Sequence, residues 1–322
     1  MNIILITPAS PPSRSGNRTT ALRWAGILRE LGHRVRVATE YQGNSAELMI
    51  ALHAWRSADA IRGFRELYPD RPLIVALAGT DIYDYIDRDP ERTLRSLQLA
   101  DRLVGLQELA RRRLPRRYHR KLCVILQSAL PVPRRTSGRS RTFDIAVIGQ
   151  LREVKDPLRA AKAARLLPID SRIRIIHLGT AETTQWADAA KAEMKVNPRY
   201  IWHGEKPGAD VRRLLGRVQA LVLSSLSEGG ANAVSEAVAG GVPVLASRID
   251  GSVGLLGRDY PGYFPVGDTA ALARLLQRIE ADSIFLAQLR AAVARRAHLF
   301  TPLREKEAWN SLLTELTYAR DI

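Results

Sequence analysis

The chain has 322 residues, 46% of them hydrophobic, one cysteine, and 49 Lys+Arg against 33 Asp+Glu, for a formal net charge of +16. That length accommodates two domains with separate cores, and the apolar share excludes a disordered polymer. A lone cysteine excludes a disulfide framework and fits a reducing cytoplasm, the six histidines show no metal-ligand spacing, and no apolar run reaches transmembrane length.

Residues 2–7 read as a strand, too short and too poor in basic residues to be a secretory signal. A loop leads from it to a helix over residues 19–31, where Leu22, Trp24, Ala25, Leu28 and Leu31 recur near a 3.6 period before Gly32. Strands follow at 35–38, 48–52, 73–77, 103–106 and 122–126, with helical segments between most of them. Cys123 falls inside the last of these, which makes it a strand residue rather than a catalytic thiol. Residues 129–142, ALPVPRRTSGRSRT, have no apolar period and read as an interdomain linker.

The pattern restarts at 143–148, with strands near 174–178, 200–202, 220–223 and 242–245. Helices are expected over 157–167, 184–195, 211–216, 232–239, 270–280 and 285–298, and a last one over 303–318 follows Pro302. Such alternation predicts an α/β protein of two Rossmann-like, doubly wound domains, residues 1–128 and 143–302. Ligands are expected at the carboxyl ends of the strands, in a cleft between the domains.

The most informative stretch is LSEGGANAVSEAVAGGVPVLAS, which places Glu228 and Glu236 eight residues apart. A strand, a turn at Gly229 and Gly230, Ala231, and a helix opening at Asn232 form a unit suited to a phosphate, because the helix start presents unpaired N–H groups. Glu236, in the first turns, can accept hydrogen bonds from two sugar hydroxyls. The strand 143–148 opens onto Gly149, Gln150, Leu151, Arg152, Glu153, Val154 and Lys155. Lysine and arginine there place positive charge at the end of the strand.

In the first half, Arg14, Ser15, Gly16, Asn17 and Arg18 precede the first helix, and Arg18 can clamp a tetrahedral anion. His53 follows one strand and Thr80 and Asp81 another. A helix-capping or packing histidine is an equal reading of His53. The arginine-rich run 111–117 lacks interleaved aromatics and reads as a solvated face, so neither nucleic-acid stacking nor membrane-surface binding is expected.

The paired glutamates and the glycine turn resemble the donor motif of the family 4 retaining glycosyltransferases, and the resemblance spans nearly the whole chain. It implies the two-domain GT-B fold, a final helix returning to the first domain, and no metal or other cofactor. It places a nucleotide-sugar on Glu236 (ribose), Lys155 with Gly229 and Gly230 (diphosphate) and Glu228 (sugar). Relatives carry arginine where Gln150 stands and His-Gly-x-Asp where Ala78, Gly79, Thr80 and Asp81 stand; Arg152 lies two residues beyond the missing arginine. Strings such as ITPASPPSRSGNRTTALRWA and ALAGTDIYDYI resemble a narrower group, the selenosugar synthases of selenoneine biosynthesis. That resemblance implies UDP-N-acetylglucosamine and selenophosphate as substrates. Transfer to a hydroxyl of a small metabolite or lipid is the alternative; an epimerase or hydrolase on the same fold, and a nucleic-acid-binding protein, stand behind it.

Overall fold

The computed structural model describes residues 1–11, 15–132 and 141–318; Arg14 and residues 133–140 of the expected linker lie outside the described residues. The chain forms two compact units. One comprises Met1–Gln127, Glu228–Ala231 and Pro302–Ile322, the other Ser128–Ser227 and Asn232–Thr301.

The first unit holds six parallel strands, β1 (Asn2–Ile6), β2 (Arg34–Ala38), β3 (Leu48–Leu52), β4 (Leu73–Leu77), β5 (Arg102–Gly105) and β6 (Leu122–Val124), in the order β2-β1-β3-β4-β5-β6. Helices α1 (Gly16–Glu30), α2 (Ala58–Leu67), α3 (Ile86–Arg88) and α4 (Pro90–Leu99) connect them. The central strands β3 (LMIAL) and β4 (LIVAL) are buried at every position, as a parallel strand covered on both faces requires. Edge strand β2 (RVRVA) carries two arginines and no fully buried residue. Period-2 alternation divides β1 between two cores. Ile3 and Leu5 pack with Trp24 and Trp309; Ile4 and Ile6 pack with Phe64 and Leu97.

The second unit repeats the plan with β7 (Phe143–Ile148), β8 (Ile173–Leu178), β9 (Tyr200–Trp202), β10 (Ala220–Leu223), β11 (Val244–Ser247) and β12 (Tyr263–Phe264), in the order β12-β11-β10-β7-β8-β9. Its helices are α5 (Arg159–Ala164), α6 (Thr184–Val196), α7 (Gly208–Leu215), α8 (Asn232–Ala239), α9 (Asp250–Leu256), α10 (Thr269–Ala281) and α11 (Ser283–Ala297). Two elements have no sequence counterpart. Helix α9 is short and contains two glycines, so it shows no period, and β12 has two residues defined only by pairing with β11. The expected strand 242–245 begins at Val244, after Gly241 at φ 65° and Pro243. Helix α1 begins three residues earlier than its apolar period suggests, because Ser15 already adopts an extended N-cap geometry and its carbonyl takes the Thr19 N–H.

The last helix, α12 (Pro302–Tyr318), belongs to the first unit. Trp309, Leu312, Leu313 and Leu316 form its buried stripe at i, i+3, i+4 and i+7 spacing, and the Trp309 ring meets Trp24 edge-on with centroids 4.8 Å apart. Glu305, 1% exposed, accepts from Trp24 Nε1 at 2.7 Å and from Arg23 Nε at 3.0 Å. Removing that carboxylate leaves the buried Trp24 indole N–H without this acceptor and takes one charged partner from Arg23. Glu305→Ala is therefore expected to lower stability by about 2–4 kcal/mol, read by urea denaturation.

No helix among the described residues is long and apolar enough to cross a membrane, and no group of three His, Cys, Asp or Glu among them could hold a metal ion. The Cys123 thiol donates to Leu103 O and is pushed up to about 11 by burial, so it stays protonated and unreactive at neutral pH. Part of the basic run is used locally. Arg113 pairs with Asp87 and donates to Ile82 O at 3.1 Å, Arg111 Nε donates to His119 Nδ1 at 3.1 Å, and Arg117 lies over the Tyr118 ring.

Candidate functional site

In the second unit, β7 lies between β10 and β8, so the chain's path reverses direction at β7. Crevices at such reversals, outside the strand C-termini, are where doubly wound sheets take ligands. A pocket stands there, lined by Gly149, Gln150, Lys155 and Pro157 after β7, His177 of β8, and Ser224 and Ser225 after β10. Three of the residues expected from sequence thus meet in one place. Arg152, Asn232 and Glu236 are not among its lining residues.

The pocket's walls are fixed by hydrogen bonds between distant segments. Ser224 Oγ bonds to Asp156 O at 2.9 Å and Lys155 O at 3.2 Å, and Leu226 N donates to Val154 O at 2.8 Å. They hold the short 3-10 turn Glu153–Lys155, which closes on Asp156 in the left-handed region at φ 44°. On the other side, Leu151 bridges Ala181 and is fully buried. Along this extended stretch, alternation puts Gln150 and Arg152 on the face opposite Leu151. Arg152 Nε is buried with no hydrogen-bond partner among the described residues, which leaves a guanidinium donor available on that face.

Gly179 closes the same wall. A Cβ there would stand 1.8 Å from Gly149 O, and its φ of 155° lies where side chains are rarely accepted. Beside it, the fully buried His177 bridges Tyr200 OH (Nδ1, 3.0 Å) and Gly149 O (Nε2, 3.1 Å). Burial holds its imidazole down at about 4, against an ordinary 6.5. The unfolded chain therefore binds a proton here before the folded one does. Its contribution is complete above pH 6.5 and is lost as pH falls toward 4, by on the order of 3 kcal/mol. Urea denaturation at pH 7 and pH 4.5 should show this loss in the parent chain and a smaller one in His177→Gln.

Helix α8 follows the glycine turn, with Asn232 its first residue and Glu236 half-buried one turn on. The turn itself, Glu228–Ala231, packs as part of the first unit. Glu228 is 9% exposed. A Cβ on Gly229 would lie 2.5 Å from the backbone at Ala78 and Gly79, so this approach is open only to glycine. Gly230 and Ala231 complete the turn.

The loops after β3 and β4 join three expected residues. His53 is 2% exposed, in the left-handed region at φ 74°, and its Nε2 meets Thr80 Oγ1 at 2.9 Å. Arg56 N donates to His53 Nδ1 at 3.2 Å, which places the ring proton on Nε2. Thr80 Oγ1 then accepts from His53, and its own O–H is directed elsewhere.

Asp81 has another role than the ligand contact expected of it. Its fully buried carboxylate accepts from the N–H groups of Ala54, Ala78, Gly79 and Ile82 at 2.8–3.1 Å, so it shapes the loop instead of touching a ligand. A wide π-type turn, Asp81–Tyr85, follows and stacks Tyr85 on Trp55 with centroids 3.9 Å apart. Gly16, Asn17 and Arg18 lie in the first turn of α1 after Ser15, where Arg18 Nε is buried with no partner among the described residues.

His177 and Ser224 escaped the sequence reading. The available signals were a histidine in the otherwise apolar end of IRIIHL and a Ser-Ser pair directly after ALVL.

Two doubly wound parallel sheets with a cationic, glycine-walled pocket at a strand reversal define a class of α/β ligand-binding protein. The family model for glycosyl transferases group 1 matches residues 134–298, and the chain belongs to that family. "Glycosyltransferase 1 domain-containing protein 1" of Xenopus tropicalis is 26% identical over 278 residues, 78% of this chain and 80% of that protein. Anabaena HepE in complex with UDP and glucose superposes with a TM-score of 0.79 at 15% identity, covering 98% of this chain and all of that one. Sucrose-phosphate synthase from Thermosynechococcus elongatus gives 0.81 at 16% identity, covering 99% of this chain and all of that one. These likenesses establish the GT-B fold.

Proposed function

We propose that this glycosyltransferase moves a sugar from a UDP-sugar, UDP-N-acetylglucosamine foremost, to selenophosphate. Family membership and the pocket at the end of β7 support the donor half, and HepE, similar in fold, holds UDP. In this reading Lys155 and Arg152 offset the charge of the leaving diphosphate. Gly149, Gln150, Gly229, Gly230, Ala231 and Asn232 line its path, Glu236 holds the ribose and Glu228 faces the sugar.

One observation carries the acceptor half. The side chain at 78 is a methyl, and His53, its Nδ1 engaged by Arg56 N–H, offers Thr80 a proton rather than taking one. A hydroxyl acceptor needs a base to remove its proton; an anion does not. Arg18 and the N–H groups at Gly16 and Asn17 suit a small, highly charged acceptor. The selenium lone pair forms the bond to C1 as the bond from C1 to the UDP oxygen breaks. Water then attacks phosphorus, the P–Se bond breaks, and a proton goes to selenium, leaving phosphate and a 1-selenosugar.

Mass spectrometry of purified protein with UDP-N-acetylglucosamine, with and without fresh selenophosphate, tests this. A selenium-bearing sugar and UDP release that both depend on selenophosphate are expected. UDP release that instead requires a hydroxyl-bearing metabolite would overturn the acceptor assignment and leave the donor half standing.

A further inference from the structure

We propose that His177 is a positioning residue for the leaving group, holding the peptide between Gly149 and Gln150 so that the Gln150 N–H points into the pocket as a phosphate donor. The inference rests on the assignment of that pocket to the diphosphate under the proposed function. Its own basis is peptide geometry. Gly149 N donates to Leu178 O at 2.9 Å and Gly149 O meets His177 Nε2 at 3.1 Å, so both groups of Gly149 face β8. A trans peptide sets its N–H antiparallel to its C=O, and no peptide bond among the described residues is cis. The Gln150 N–H is thereby turned away from β8 and toward β10, the side on which Ser224, Ser225 and Lys155 line the pocket. Among the described residues no protein group accepts that N–H.

His177 suits this task because its tautomer is set. With the Tyr200 O–H donating to Nδ1 at 3.0 Å, Nε2 carries the proton and donates to Gly149 O. Burial pushes the imidazole down to about 4 and the Tyr200 phenol up, so both stay neutral at working pH. The bare Cα of Gly179 lets the carbonyl approach. A fixed amide dipole costs no reorganisation when charge develops on the leaving oxygen. It also supplies a donor at a position where the side chain, Gln150, is uncharged.

The test follows the Gln150 amide by 1H–15N NMR during UDP titration, alongside steady-state kinetics. In the parent chain the Gln150 proton should move downfield on UDP binding. His177→Leu should lose that response and lower kcat about tenfold or more, with a smaller change in KM, as expected for a misdirected transition-state donor. His177→Gln, which keeps an N–H within reach of Gly149 O, should restore most of both, whereas a merely structural role would tie turnover to thermal stability in all variants.

A parent-chain Gln150 amide indifferent to UDP overturns the proposal without any variant having to fold. So does His177→Leu with normal turnover. If Lys155→Ala keeps full turnover and UDP affinity, the pocket assignment itself has failed; if Lys155→Ala is inactive and Gln150 is silent, only the role of His177 has.

Discussion

Lys155→Ala is expected to lower turnover about 100-fold or more, with little change in melting temperature. The lysine sits on a turn whose shape is set by bonds from Ser224 Oγ and Leu226 N to the backbone carbonyls of residues 154–156, and those carbonyls stay in place when the Lys155 side chain is cut. The loss should fall on kcat more than on KM, because a leaving diphosphate gains charge only as its bond to the sugar breaks. Lys155→Arg should recover part of the rate, since charge is kept and geometry is not. Near-normal kcat in Lys155→Ala would remove the diphosphate from this pocket.

Glu236→Ala should cost about 100-fold in kcat/KM, the equivalent of losing two hydrogen bonds to a charged acceptor. Here KM should carry much of the effect, because a ribose is held equally in ground and transition states. Glu236 lies half-buried in α8, and truncation there shortens a side chain without removing a core residue. Glu236→Gln should fall between, keeping one acceptor oxygen and losing the charge. UDP affinity measured by calorimetry separates this variant from Lys155→Ala. Unchanged UDP affinity and unchanged KM in Glu236→Ala would take the ribose away from this residue.

Much of the architecture was legible in the chain. Strands β3, β4, β7, β9 and β10 fall where their apolar runs do, because a buried parallel strand is a continuous hydrophobic segment bounded by polar residues. The pocket residues Gly149, Gln150 and Lys155 were also readable, since they follow directly on such a strand. Boundaries failed where geometry overrides period. Helix α1 starts at Gly16 through the backbone geometry of Ser15, and β12 exists only because β11 offers it an edge.

Other roles could not be read from neighbours in sequence. Asp81 looks like a polar residue in a functional loop, yet four backbone N–H groups converge on it from the loops after β3 and β4. His177 looks like one polar residue in an apolar strand, yet Tyr200 and Gly149, 23 and 28 positions away, make it a bridge with a fixed tautomer.

The sequence by itself determined the two doubly wound sheets and the position of the glycine turn between Glu228 and Glu236. Those follow from hydrophobic period and local turn chemistry, which act over a few residues. Only the tertiary structure decided that residues 228–231 belong with the first unit, that the Asp81 carboxylate accepts from Ala54 N–H across two loops, and that His53 donates a hydrogen bond to Thr80. Those depend on hydrogen bonds and burial between residues tens to hundreds of positions apart, and no local pattern encodes which partner such a residue will meet.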